Sequence, residues 1–156
     1  MPYPPFTPEE WALLARAPFM TGLVITLAAP SGISGILEES NAITQNLLSA
    51  QQTASPLIVQ LVADIQNSKG QLAKPSAKLS PKTAIQTALA TLEQTAQLLQ
   101  LKASEEEATV FKDWLLLIAQ DTAQAAKEGG FVGIGGTQIS QAEERALERI
   151  RSALGL

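Results

Sequence analysis

Neither histidine nor cysteine occurs among the 156 residues. Histidine is the commonest general acid and base near neutral pH and a common metal ligand, and the cysteine thiolate is the readiest nucleophile. Without them, the usual hydrolase triads, zinc sites and thiol chemistries lack protein-supplied parts. Absence of cysteine also excludes disulfides and leaves the redox compartment open. Aromatic residues are scarce, at 4%, against a hydrophobic fraction of 46%, so Ala, Leu, Ile and Val must fill the core. Alternating β-branched runs, the mark of half-buried strands, are nearly missing. Basic residues are the minority: 11 Lys and Arg against 15 Asp and Glu give a net charge of −4. That balance repels phosphate backbones and anionic lipid surfaces, so no nucleic-acid partner is expected. The longest apolar tract runs from Trp11 to Ala29. It is interrupted by Arg16, Pro18, Thr21, Gly22 and Thr26, which favours a buried pair of short helices over a membrane span. The N-terminus has no cationic segment ahead of an apolar one and does not read as a signal peptide.

What is present is helix punctuation. Thr7-Pro8-Glu9-Glu10 places a hydroxyl at the N-cap, proline at the first helical position and glutamate at the third. The hydroxyl accepts from an amide with no helical partner, proline has no such amide, and the carboxylates meet the positive helix end. Ser55-Pro56 and Ser80-Pro81 repeat the Ser-Pro start, and Ser104-Glu105-Glu106-Glu107 and Ser140-Gln141-Ala142-Glu143 repeat the capping box. Stop signals are Ala29-Pro30-Ser31-Gly32, Asn67-Ser68-Lys69-Gly70 and Gly129 after Lys127-Glu128.

Between these marks the apolar residues keep helical spacing: Ile85, Leu89, Leu92, Ala96 and Leu99 on one helix, Phe111, Trp114, Ile118, Thr122 and Ala125 on the next. Ile33, Ile36, Leu37, Ile43, Leu47 and Leu48 mark an earlier helix, and Leu147, Ile150 and Leu154 the last. The expected helices are 8–17, 19–28, 33–51, 56–67, 81–102, 105–128 and 141–154, with the first two split or kinked at Pro18 because proline lacks the amide and crowds the preceding turn. The whole chain, 1–156, reads as a single all-α domain. It is a compact multi-helix bundle in which 81–102 and 105–128, joined across Ala103-Ser104, form a long antiparallel hairpin before a final short helix. Residues 68–79, with Gly70, Pro75 and three lysines among no acids, read as a mobile connector.

Each motif has a plain structural use. Gly129 to Gly136 is glycine-rich, yet no Lys-Ser/Thr closes it and no strand precedes it, so a helix cap followed by a loop tucking Phe131, Val132 and Ile134 against the bundle is expected rather than a phosphate cradle. Alternatively Phe131 and Ile134 anchor another chain. A di-iron bundle needs Glu-x-x-His pairs, which are excluded here. No calcium loop appears, and Glu105, Glu106 and Glu107 serve the helix start. A Ser-Lys dyad would have to come from Lys74 to Lys82, which reads as connector and cap. Trp11 and Trp114 sit on apolar faces beside Leu14 and Ile118 as core anchors. Arg145–Glu148 and Glu148–Arg151 have the spacing of weak surface ion pairs.

The segments Thr7-Pro8-Glu9-Glu10-Trp11, Ala17-Pro18-Phe19-Met20 and Glu128-Gly129-Gly130-Phe131 through Ser140-Gln141-Ala142-Glu143 resemble a small family of bacterial helical proteins of uncharacterised function. The resemblance implies a compact all-helical fold and transfers no site, cofactor or activity.

The functional expectation is a non-enzymatic, soluble, cytoplasmic interaction module that self-associates as a homodimer, with no catalytic, metal or cofactor-binding residue. Helix 19–28 is apolar nearly all round, so it lies centrally in the core or in an interface. Leu23, Val24 and Leu27, with Phe131 and Ile134, are the expected contact residues. A second expectation is a carrier holding a hydrophobic ligand or tetrapyrrole between helices. A third is a histidine-free enzyme using a carboxylate or a metal.

Overall fold

The computed structural model describes residues 5–28, 55–74, 83–129 and 141–156, the side chains of 124–129 excepted. Within them lie five α-helices and no strand: α1 (Pro8–Ala28), α2 (Pro56–Asn67), α3 (Ala84–Lys102), α4 (Glu105–Gly129) and α5 (Gln141–Leu154), with a short 3-10 helix at Gln71–Ala73. The protein is all-α, as composition and punctuation imply. The expected helix 33–51 lies outside the described residues.

The start signals work as their chemistry requires. Around Thr7 the capping box is closed in both directions: the Glu10 amide donates to Thr7 Oγ1 at 3.2 Å, and the Thr7 amide donates to Glu10 Oε2 at 2.8 Å. The Ser55 hydroxyl accepts from the Ile58 amide and the Ser104 hydroxyl from the Glu107 amide. α3 departs from expectation. It starts at Ala84, with Thr83 at its N-cap and no side-chain cap bond, three residues later than the Ser80-Pro81 signal placed it; Ser80 and Pro81 are outside the described residues.

α1 is the hub of the bundle. It packs on α2, the 3-10 helix, α3, α4 and α5 alike, and buries Trp11, Leu14, Ala15, Ala17, Pro18, Met20, Thr21, Gly22, Val24 and Ile25. A helix with neighbours on every side must be apolar on every side. The same burial decides against one of the two expectations at Pro18, the split, and leaves the kink. One 21-residue helix runs through it, because packing against five elements outweighs the few kcal/mol that an interior proline costs. The hydroxyl of buried Thr21 donates to the Ala17 carbonyl at 2.8 Å, so it carries no unmet polar demand into the core.

α3 and α4 follow one another across Ala103-Ser104, yet each packs more extensively on α1 than on the other. The core is therefore organised around α1 rather than around a hairpin. The face of α3 is also turned from the one read off its apolar residues. Ala84, Ala88, Thr91, Leu92, Thr95, Leu98 and Leu99 are buried, while Ile85, Leu89 and Ala96 are half-buried. Two threonines cause the difference: Thr91 and Thr95 return their hydroxyls to the carbonyls of Thr87 and Thr91, at 3.0 and 2.8 Å, and so enter the core without cost in unpaired polar groups. On α4 the described part of the expected face holds, the side chain of Ala125 lying outside it. Phe111, Trp114, Ile118 and Thr122 are all buried, and Phe111 meets Trp114 edge to face with centroids 5.4 Å apart.

Two helices end in the same double hydrogen bond. Past α2, the Gly70 amide donates to the Ile65 carbonyl and the Lys69 amide to that of Gln66; past α5, Leu156 donates to Arg151 and Gly155 to Ser152. Glycine fills the left-handed position in the second, Gly155 at φ 75°, whereas Lys69 holds it in the first at φ 54°. The chain then makes the 3-10 helix, which lies on α1 with Ala73 buried. Thus the described part of 68–79 is a packed turn; residues 75–79 are outside the described set.

An ion pair ties the start of α1 to the end of α3, 92 residues further on. Lys102 Nζ, at the end of α3, lies 2.6 Å from Glu10 Oε2 and 3.4 Å from the Pro5 carbonyl oxygen. The Lys102 ammonium, helped by the Thr7 amide, holds the Glu10 carboxyl below its ordinary range.

Candidate functional site

Of the expected contact residues, three lie close together on the second half of α1 and differ in burial. Val24 is 1% exposed, inside the bundle, and Leu23 is half-buried against the same core. Leu27, one turn further on, is 42% exposed. Phe131 and Ile134 lie outside the described residues. Beyond its first turn, where Pro8 and Glu9 are exposed, Leu27 is the exposed residue of α1.

Sequence patterning overlooked a second apolar feature. α4 exposes Val110 and Leu117, the latter at 48%. Seven residues is two helical turns, so both stand on one stripe. Glu106, Asp113 and Gln120, all exposed, share that stripe by the same spacing. The stripe is on the opposite side of α4 from Phe111, Leu115, Ile118 and Thr122, which bury. The signal was present in the sequence: valine and leucine at 110 and 117 do not belong to the 111–114–118–122 face. Leu101, 82% exposed, adds a further apolar side chain at the end of α3.

Two open clefts flank α5. One, of about 650 Å³, runs along its charged face at Gln141, Glu144, Arg145, Glu148 and Arg149. The second, about 470 Å³, lies where α3 (Glu93, Gln97, Gln100), Lys112 of α4 and the last turn of α5 meet. The second is lined chiefly by polar atoms, and both open to the surface, unlike the enclosed apolar pocket a hydrophobic ligand needs. Of the two ion pairs expected on α5, Arg151–Glu148 forms at 3.9 Å between exposed groups.

Among the described residues no three acidic side chains come together as a metal site would require. Two carboxylates have structural duties, and a third is buried. Glu10 closes the capping box and meets Lys102. Asp64 accepts from the indole of Trp11 and the amide of Gln60, both at 2.9 Å. Glu143 is buried in the first turn of α5. Trp11 and Trp114 are core anchors, 2% and 8% exposed, but differ in one respect: the buried Trp114 Nε1 finds no acceptor.

α1 is long and apolar enough to cross a membrane by length and composition, with a mean hydropathy of 1.5, and 56% of that stretch is buried inside the protein. Burial of this kind is what the central helix of a bundle requires. Compared with known protein families, with curated proteins and with solved structures, the chain has no significant match in any of the three.

Proposed function

We propose that this chain is a soluble, cytoplasmic, non-enzymatic helical module that acts by associating with a second copy of itself, through the outward stripe of α4. The observation that carries this reading is the pair Val110 and Leu117, left exposed on a helix whose other face already fills the core. A two-fold pair lets one patch cover itself and needs no second kind of surface, which is why such pairing is the commonest oligomeric arrangement. Leu27 supports the reading as a further exposed aliphatic side chain. The apolar excess that helix 19–28 presents in the sequence does not, because α1 spends most of it within the chain.

The stripe also sets how the association depends on salt. Glu106 and Asp113 lie along it, so pairing two copies of α4 brings like charges together at the seam. Salt screens such charges over a Debye length of about 10 Å at 0.1 M, and the dimer should tighten as ionic strength rises.

Sedimentation equilibrium tests the proposal. The expected result is a mass of twice 16.5 kDa at micromolar concentration, more dimer at higher salt, and reversion to one chain in Leu117→Glu. Since Leu117 is exposed, that variant keeps its helical content, and its melting temperature falls only by what association adds. A mass of one chain at every concentration and salt overturns the proposal, as does a Leu117→Glu variant that remains dimeric.

A further inference from the structure

We draw no further inference here: the strongest candidate, the polar cleft where Glu93, Gln97 and Gln100 of α3 and Lys112 of α4 meet the last turn of α5, has no charged side chain more than partly buried on its wall, and nothing in the structure shows what fills it.

Discussion

The two helix ends built on one hydrogen-bond pattern give an internal control at the level of single residues. Gly155 occupies the left-handed position without steric cost, whereas the Cβ of Lys69 meets the backbone there. Lys69→Gly should therefore raise stability by about 0.5–1 kcal/mol, less than the full steric relief because glycine loses more freedom on folding. Gly155→Ala should lower it by about 1 kcal/mol. Urea midpoints of the two variants check both signs, and equal shifts would disprove the assignment. The two tryptophans form a second control. Trp11 donates to Asp64, while the Trp114 indole nitrogen is buried without an acceptor. Replacing either with phenylalanine removes similar volume, but only Trp11→Phe also removes a hydrogen bond. It should be the costlier change, by about 1–2 kcal/mol. Calorimetric melting of the pair decides it.

Among elements, the link between the start of α1 and the end of α3 depends on the charge of one carboxylate. Lys102 and the Thr7 amide lower the Glu10 pKa in the folded state below the ordinary 4.5. A depressed carboxylate contributes stability that is fully present above its unfolded value and is lost as pH falls through the folded one. Stability should thus decline below about pH 4.5, the ordinary glutamate value, and Lys102→Met should lose less over that range because its Glu10 is closer to ordinary. Denaturant titrations of both proteins at neutral and acid pH measure this; identical acid sensitivity would show that the pair is not responsible. The elements themselves were largely legible. Ser55-Pro56 and Ser104 mark the starts of α2 and α4, and α5 spans 141–154, since caps and prolines act locally. Two expectations changed, the first only in part, for tertiary reasons. Continuity through Pro18 is imposed by the five elements around α1, and the face of α3 is turned because Thr91 and Thr95 satisfy their hydroxyls on their own helix. Residue type alone does not reveal that a threonine has become apolar in effect. The α4 stripe was missed for a simpler reason: Val110 and Leu117 stand apart from the face that filled the expected core.

For the whole molecule, one helix explains why a chain with so few aromatics can close a core. α1 carries small and aliphatic side chains around Trp11 and Phe19, and Ala15, Ala17, Ala88, Ala119 and Ala123, all fully buried, let neighbouring helices approach closely. The amphipathic helices then turn their charged faces to solvent. This placement separates the apolar surface in the chain: the larger part builds the fold on α1, and a smaller part, Val110 and Leu117 of α4 with Leu27 and Leu101, stays exposed. If α1 were instead a contact surface or a membrane segment, the remaining helices would have no common partner to pack on, and the bundle would lack its centre.

Amide hydrogen exchange on the intact protein tests the placement of α1 most directly. The amides from Leu14 to Ile25, proline apart, should be among the slowest in the molecule, opening only with global unfolding. Exchange across α1 that is complete while α3 and α4 remain protected would contradict it.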